Sequence, residues 1–177
     1  MEQVVVLTGF MGVGKTATGR ALAEILGWDF LDLDEEIEQA AQKPIPRIFG
    51  DEGEDRFRDL ESQELRKVLG RNRVVVATGG GVLLREENRK RLEGRIVVNL
   101  DASPEECARR LRNSSTERPL LAGPDPEEAA RRVYEARRHV YGWVRSRVDT
   151  EGKTPAEVAS EIAARFVGCS AEGGKRV

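Results

Sequence analysis

The sequence has few of the side chains that commonly bind transition metals or act as nucleophiles. Its 177 residues include two cysteines, Cys107 and Cys169, and a single histidine, His139. The cysteines lie 62 positions apart, with no Cys-x-x-Cys spacing. Zinc sites and cysteine–histidine catalytic pairs need more of these residues at closer spacing. We therefore expect neither a metal site built from nitrogen and sulfur ligands nor a cysteine–histidine pair.

The sequence also lacks a long apolar run and an excess of charge of one sign. No run approaches the roughly 18 apolar residues of a membrane span, and the first three residues lack the basic region of a secretory signal. Lys and Arg total 29 against 31 Asp and Glu, which gives a net charge of -2 and argues against a nucleic-acid binder held mainly by charge. We expect a cytoplasmic, monomeric protein with small-molecule partners, no nucleic-acid partner and no membrane association.

Short valine-rich runs, separated by segments long enough for helices, predict an α/β fold with a five-stranded parallel sheet. Runs that are apolar without alternation are typical of strands buried on both faces of such a sheet. The predicted strands are Val4–Leu7, Asp29–Asp32, Val74–Ala77, Ile96–Val98 and Arg147–Asp149. The length fits one domain. We place this domain at residues 1–168 and predict a disordered tail at 169–177.

Three later helices begin with a shared local pattern. Ser103, Asp125 and Thr154 each precede a proline, and a glutamate follows two residues after that proline. Such residues cap a helix N-terminus, proline suits the first helical position, and glutamate at the third position completes a capping box. The pattern predicts helices that begin at Pro104, Pro126 and Pro155.

Residues Gly9 to Thr16 read Gly-Phe-Met-Gly-Val-Gly-Lys-Thr and match the phosphate-loop pattern G-x-x-x-x-G-K-[ST]. The match follows the first predicted strand and precedes a predicted helix, Lys15–Leu26. In such loops successive N–H groups point at phosphate oxygens, and the helix N-terminus adds roughly half a positive charge. Lys15 would reach the β and γ phosphates, and Thr16 would supply an oxygen for Mg²⁺. The predicted ATP contacts are Gly12, Val13, Gly14, Lys15, Thr16 and Ala17.

A dinucleotide-binding turn is the competing interpretation of the same segment. Residues 12–17 also fit the G-x-G-x-x-A fingerprint, and Asp32 lies 20 residues after its first glycine. That kind of site has no use for Gly9 or for the pair Lys15 and Thr16. In addition, 177 residues hardly hold two mononucleotide-binding halves and a substrate region. We therefore favour the phosphate loop.

Two carboxylates follow the second predicted strand. Asp32 and Asp34 are two residues apart, so both project to the same side of an extended segment. Ligands bind at the carboxyl ends of strands in open α/β sheets, and the phosphate loop leaves from the same edge. The pair suggests a ligand of metal-bound water and a base that orients a hydroxyl. The alternative is that both residues only cap the helix through Ile37.

Three consecutive glycines, Gly79, Gly80 and Gly81, follow Thr78 and the third predicted strand. Glycine in this number costs backbone entropy, so the run predicts that another group approaches the backbone closely. We expect that group to be a substrate. A flexible turn is the alternative, because glycine pairs also occur in plain loops.

Arg137 is the arginine whose helical position most clearly predicts a bound anion. From Pro126 onward, apolar residues form one stripe at helical spacing, and Arg137 falls near its middle. A guanidinium at that place needs an anionic partner. The neighbouring polar residues flank or oppose the stripe and are expected to be solvated: Arg131, Arg132, Arg138 and His139.

A second arginine, Arg58, and a loop arginine, Arg118, are further candidates. Arg58 lies at the edge of an apolar helix face with Glu54 and Glu61 one turn away on either side, so an internal ion pair is an equally open interpretation. Residues from about 112 to 126 are polar at first and end in Gly and Pro, which predicts a lid. Arg118 would deliver positive charge when such a loop closes.

With these residues in place, the chain resembles the shikimate kinases, enzymes of aromatic amino-acid biosynthesis that transfer the γ-phosphoryl of ATP to the 3-hydroxyl of shikimate. The resemblance runs from about Val4 to Phe166. It rests on six motifs in order, namely Gly-Phe-Met-Gly-Val-Gly-Lys-Thr, Asp32-Leu33-Asp34, Phe57-Arg58-Asp59-Leu60-Glu61, Thr78-Gly79-Gly80-Gly81, Arg118-Pro119-Leu120-Leu121 and Arg137-x-x-x-Tyr141. It implies a three-layer fold with strand order 2-3-1-4-5 and helices on both faces of the sheet.

The resemblance also implies a role for each site residue. Shikimate would be bound by Asp34, Arg58, Gly80 and Arg137, with Gly79 and Gly81 beside it. Mg²⁺ would be served by Thr16 and, through water, by Asp32, while Arg118 contacts the nucleotide phosphates. Adenine would be held between Arg110 and Pro155, with Arg109 as an alternative to Arg110. Catalysis would then depend on Asp34, Lys15 and Arg118.

Two other functions remain open on the sequence. A small-metabolite kinase of the same fold, such as a gluconate kinase, would be expected to lack the Asp-Leu-Asp, triple-glycine and Arg137 set. A nucleotide-binding regulatory module without transfer activity would not need Asp34 as a hydroxyl-orienting carboxylate beside Lys15 and Arg118.

Overall fold

The computed structural model of the chain describes residues 3–112 and 126–168. They contain one parallel sheet in the order β2-β3-β1-β4-β5. Its strands are β1 (Val4–Gly9), β2 (Asp29–Asp32), β3 (Val74–Ala77), β4 (Ile96–Asp101) and β5 (Arg147–Asp149). The predicted strand positions and the strand order implied by the resemblance are both confirmed.

The described residues also form seven α-helices. They are α1 (Lys15–Leu26), α2 (Leu33–Ala41), α3 (Ile45–Val68), α4 (Glu86–Leu92), α5 (Pro104–Arg112), α6 (Pro126–Tyr141) and α7 (Pro155–Ile162). Gly53 interrupts α3, and a π-helical turn, Ala163–Val167, continues α7. The predicted starts at Pro104, Pro126 and Pro155 are confirmed, and Thr154 forms a complete capping box with Glu157.

The sheet is covered on both faces, as its valine-rich strands predict. All six residues of β1 are buried, although neighbouring side chains in a strand point to opposite faces. Val5 pairs with Val75 on one side and with Ile96 on the other, so the apolar runs of three strands lie next to each other. This rigid centre fixes the positions of the loops that leave its carboxyl edge.

Three segments of the chain leave adjacent parallel strands at the same edge of the sheet. The phosphate loop follows β1, α2 follows β2, and the glycine run follows β3. The expectation that Asp32 and Asp34 share an extended segment was wrong, because β2 ends at Asp32 and α2 begins at Leu33. Asp34 therefore lies in the first turn of a helix.

Several expectations concern residues outside the described ranges. The predicted lid, apart from its two end residues, and the predicted tail at 169–177 both lie there, as does Arg118. In the part of the chain that the structure does describe, no helix is both long enough and apolar enough to cross a membrane.

Candidate active site

The phosphate loop joins the end of β1 to the first turn of α1. Gly14 precedes α1 in a left-handed conformation, with φ of 98°, which favours glycine over residues with a side chain. Lys15 folds back over the loop, and its Nζ donates to the carbonyl oxygens of Gly9 at 2.9 Å and Phe10 at 2.8 Å. The ammonium group therefore lies on the loop, where a bound phosphate would meet it.

Thr16 and Asp32 meet beside this loop. The Thr16 hydroxyl donates to Asp32 Oδ2 at 2.7 Å, while Asp32 Oδ1 accepts from the backbone N–H of Asp34 at 3.0 Å. Asp32 thus caps α2, as the alternative interpretation held, and also faces the phosphate loop. A hydroxyl and a carboxylate suit Mg²⁺, which keeps water and phosphate oxygens as its other ligands. Among the described residues no group of three or more His, Cys, Asp and Glu could hold a metal ion.

Two carboxylates crowd the backbone at Gly79. A Cβ built on Gly79 would lie 2.9 Å from Asp34 Oδ1 and 3.0 Å from Glu61 Oε1. Asp34 reaches this point from α2 and Glu61 from α3, so residues far apart in sequence meet at the glycine run. The groups that approach Gly79 are therefore the protein's own side chains, whereas the sequence suggested a substrate.

Arg58 occupies the corresponding space at Gly81. A Cβ at Gly81 would lie 2.5 Å from Arg58 Nη2 and 2.6 Å from its Cζ. Arg58 is buried and donates to Glu61 Oε2 at 2.8 Å and to Glu54 Oε1 at 2.9 Å. The internal ion pair considered from the sequence is thus present, and it holds the guanidinium against the glycine run.

Glu61 is a fully buried acid whose charge is only partly compensated. Its Oε1 has no hydrogen-bond partner among the described residues. Burial raises the pKa of Glu61, the Arg58 guanidinium opposes this effect, and the nearby Asp34 carboxylate adds to it. The same pair raises the pKa of Arg58, although burial opposes the rise. Arg58 therefore keeps its positive charge, whereas burial disfavours the charged form of Glu61.

Gly80 lies between the phosphate loop and α6. A Cβ at Gly80 would lie 3.4 Å from the nitrogen of Met11 and 3.6 Å from the oxygen of Gly9. On the other side, the Tyr141 hydroxyl donates to the Gly80 carbonyl oxygen at 2.6 Å. Gly80 is partly exposed, whereas Gly79 and Gly81 are buried. It is the glycine of the three with surface left for a ligand, directly beside the phosphate loop.

Arg137 has the buried position on α6 that its helical spacing predicts. It is 7% exposed. Its positive charge lowers the pKa of Glu61 and of Tyr141 and so opposes the effect of burial on both groups. Its neighbours Arg138 and His139 are exposed, as expected. The structure thus brings Arg137, Arg58, Asp34 and Gly80 to the same edge of the sheet.

Arg110, and not Arg109, contacts the phosphate loop. Its Nη1 donates to the carbonyl oxygen of Val13 at 3.1 Å and to Thr150 Oγ1 at 3.0 Å, and its Nη2 donates to the Thr150 carbonyl oxygen at 3.0 Å. Arg109 is exposed and pairs with Glu106. Pro155 is exposed at the start of α7, five residues after Thr150.

Sequence reasoning missed two parts of this site. Tyr141 belongs to the Arg137-x-x-x-Tyr141 motif, but nothing in that spacing predicts a hydrogen bond to Gly80, 61 residues away. Thr150 carries no signal at all, although its hydroxyl accepts from Arg110 and donates to the Asp101 carbonyl oxygen at 3.0 Å. Together the site offers a phosphate loop beside a surface with two buried arginines and two carboxylates, which suits phosphoryl transfer to a small hydroxylated acid.

Comparison with known proteins identifies the family. The shikimate kinase family model matches residues 11–166. The chain belongs to the shikimate kinase family. A shikimate kinase of Thermodesulfovibrio yellowstonii is 45% identical over 159 residues, which cover 89% of this chain and 91% of that protein. Like the members of this family, the chain is an ATP-dependent kinase that phosphorylates an alcohol group of shikimate in aromatic amino-acid biosynthesis.

Solved structures agree on the fold. The shikimate kinase of Acinetobacter baumannii in complex with shikimate has a TM-score of 0.84 and 36% identity, covering 92% of this chain and 91% of that one. A gluconokinase of Sinorhizobium meliloti has a TM-score of 0.60 and 24% identity, covering 92% of this chain and 90% of that one. At this identity, the likeness to the gluconokinase shows a shared fold alone.

Proposed function

We propose that the residues around Gly80 bind shikimate so that its 3-hydroxyl faces the γ-phosphoryl of ATP on the phosphate loop. The observation that carries this proposal is the position of Gly80, next to backbone atoms of Met11 and Gly9. Its neighbours in the chain, Gly79 and Gly81, lie against Asp34 and Arg58. A substrate on this surface lies within reach of the nucleotide phosphates without a large movement of the chain.

At the substrate end, two arginines bind the carboxylate of shikimate and one carboxylate orients its hydroxyl. Arg137 binds the shikimate carboxylate because it is a buried cation, for which a hydrogen-bonded anion is a strong partner. Arg58 joins it because its ion pairs with Glu54 and Glu61 hold the guanidinium against the glycine run. Asp34 accepts a hydrogen bond from the reacting hydroxyl and orients it. Asp34 takes the hydroxyl proton as the oxygen bonds to the γ-phosphorus, while the bond from that phosphorus to the bridging oxygen breaks and ADP leaves. Gly79 and Gly81 keep these side chains close to the ring of the substrate.

At the nucleotide end, residues Gly12 to Ala17 hold the phosphates. Lys15 exchanges the carbonyl oxygens of Gly9 and Phe10 for phosphate oxygens as ATP binds. Thr16 and, through water, Asp32 would hold Mg²⁺, which would neutralise charge on the phosphates. The 2.7 Å contact between Thr16 and Asp32 supports this assignment, since it places a neutral and an anionic oxygen side by side.

Two further parts complete the proposal. Arg110 and Pro155 hold adenine between them, supported by the contact of Arg110 with both the phosphate loop and Thr150. Arg118, in a lid at about 112–126, brings positive charge to the transferring phosphoryl group when the lid closes. We propose that the enzyme works as a cytoplasmic monomer, with residues 1–168 as a single kinase domain and 169–177 as a disordered tail.

A coupled ADP-release assay tests the assignment of the acceptor. It compares ADP release from ATP with shikimate, with gluconate, with nucleoside monophosphates and with no acceptor. Of these, we expect only shikimate to give rapid ADP release. Release with gluconate would favour the small-metabolite kinase of the same fold. No release with any acceptor, together with intact ATP binding, would favour a regulatory module.

Asp34→Asn tests the residue roles in the same assay. Loss of the orienting carboxylate should lower kcat by about 10² to 10⁴ and leave ATP binding nearly intact. Glu35→Gln is the matched control, because Glu35 is the next residue of α2, is exposed and pairs with Arg20 at the surface. Turnover of Asp34→Asn within about tenfold of the wild type would remove Asp34 from the base role.

A further inference from the structure

Tyr141 places a hydroxyl group beside Gly80, the glycine around which we propose that the substrate binds. It is the last residue of α6 and is buried, with 4% of its surface exposed. Its hydroxyl donates to the Gly80 carbonyl oxygen at 2.6 Å, which is short for such a bond and well formed. Because Gly80 also lies against the phosphate loop, this bond ties α6 to the loop that follows β3.

Arg137 lies one helical turn before Tyr141 on the same face of α6, and both side chains are buried. Burial raises the pKa of Tyr141 to about 12, and the nearby Arg137 cation opposes the rise. The phenol therefore keeps its proton at neutral pH and donates it to Gly80, while its oxygen lone pairs remain available to the N–H groups of Arg137. The hydroxyl thus binds the partly exposed glycine and interacts electrostatically with the guanidinium one turn earlier on the helix.

We propose that Tyr141 is a positioning residue that fixes the Arg137 guanidinium relative to the Gly80 backbone and thereby sets the affinity for the carboxylate of shikimate. This inference rests on the proposed function, in which Arg137 and Gly80 bind that substrate. Tyr141 does not touch the reacting atoms. It acts by limiting where the guanidinium can lie before the substrate arrives, so less ordering is needed on binding.

Tyr141→Phe removes the hydroxyl and keeps the ring in the core. We expect KM for shikimate to rise about tenfold, because a buried carbonyl loses its donor and a cation loses its neighbour. KM for ATP and kcat should stay within about twofold. The matched control is Tyr134→Phe on the same helix, whose ring packs edge-on against Phe10 at 5.3 Å, and it should leave KM for shikimate unchanged.

A second readout separates positioning from general loosening of the fold. If Tyr141 orients Arg137 toward a carboxylate, the preference for shikimate over its methyl ester should fall in Tyr141→Phe by about the same factor as the affinity for shikimate. A merely structural change would weaken both substrates alike. Equal losses for acid and ester, or an equal rise in the KM values for ATP and shikimate, would overturn the proposal.

Arg137→Ala distinguishes failure of this inference from failure of the proposed function. Weaker shikimate binding in Arg137→Ala with unchanged binding in Tyr141→Phe would refute the positioning role alone. Unchanged shikimate binding in Arg137→Ala would instead refute the assignment of Arg137 to the substrate. In the double variant we expect less than the product of the two single effects, because Tyr141 acts through Arg137.

Discussion

Gly81→Ala should damage the enzyme through Arg58, a residue more than 20 positions away in sequence. The added Cβ would lie 2.5 Å from Arg58 Nη2 and 2.6 Å from Cζ, where ordinary van der Waals contact begins at 3.4 Å. The guanidinium must therefore move by about 1 Å. It cannot move freely, because Glu54 and Glu61 hold it at 2.9 and 2.8 Å and it is buried.

A shift of this size is large for a binding group. Misplacement of a positioning group by about 1 Å can lower the rate by roughly 10²-fold, so we expect kcat/KM for shikimate to fall by about that factor. Overpacking should lower the free energy of unfolding by about 1 to 3 kcal/mol. KM for ATP should change little, because Arg58 lies on the substrate side of the glycine run.

Steady-state kinetics with each substrate varied in turn, together with a thermal melt, measures these effects. Gly70→Ala is the control, since Gly70 is exposed after α3 and its nearest atom to a Cβ would be the Lys67 carbonyl oxygen at 3.4 Å. If Gly81→Ala keeps kcat/KM for shikimate within about threefold of the wild type, Arg58 either moves freely or does not bind the substrate.

Paired arginines supply two further predictions. Arg137→Ala should weaken shikimate binding by about 2 to 5 kcal/mol, while exposed Arg138→Ala should do little, as titration calorimetry can show; equal effects would contradict the helical assignment. Arg110→Ala should raise KM for ATP at least tenfold, roughly the loss of one to two charged hydrogen bonds, whereas Arg109→Ala should not; the reverse outcome would place adenine beside Arg109.

The parts of the fold that depend on neighbouring residues could be predicted from the sequence. The strand, phosphate loop and helix of residues 4–26 follow from a valine run, positioned glycines and the pair Lys15 and Thr16, all close in sequence. The start of α7 follows from Thr154, Pro155 and Glu157, which make their capping contacts with each other. Strand order, in contrast, came from the family resemblance.

Contacts between distant residues could not be predicted. The need for glycine at position 79 comes from carboxylates on two different helices, and the hydrogen bond of Tyr141 to Gly80 spans 61 residues. Such contacts depend on where whole elements pack. Local pattern located Arg58 with Glu54 and Glu61, but only the packing of α3 against the loop after β3 shows what the ion pair holds in place.

Glu61 allows the electrostatics of this site to be tested apart from catalysis. It is fully buried, and its Oε1 makes no hydrogen bond to any described residue. Burial raises its pKa, with the Asp34 carboxylate adding to the rise and Arg58 opposing it. A folded-state pKa above the unfolded value means that the folded protein binds more protons between the two values. The contribution of Glu61 to stability is therefore full below the unfolded pKa and is lost as pH rises through the folded pKa.

Glu61→Gln keeps the size and removes the charge, so the difference in stability between wild type and variant isolates this effect. Groups that titrate alike in both proteins cancel in that difference. Starting from about pH 4.5, near the unfolded pKa of a glutamate, we expect the stability of the wild type relative to Glu61→Gln to fall as pH rises through the raised pKa. Urea unfolding at a series of pH values measures it, with exposed Glu35→Gln as the surface control. A wild-type advantage that grows with pH would mean that the ion pair with Arg58 outweighs burial.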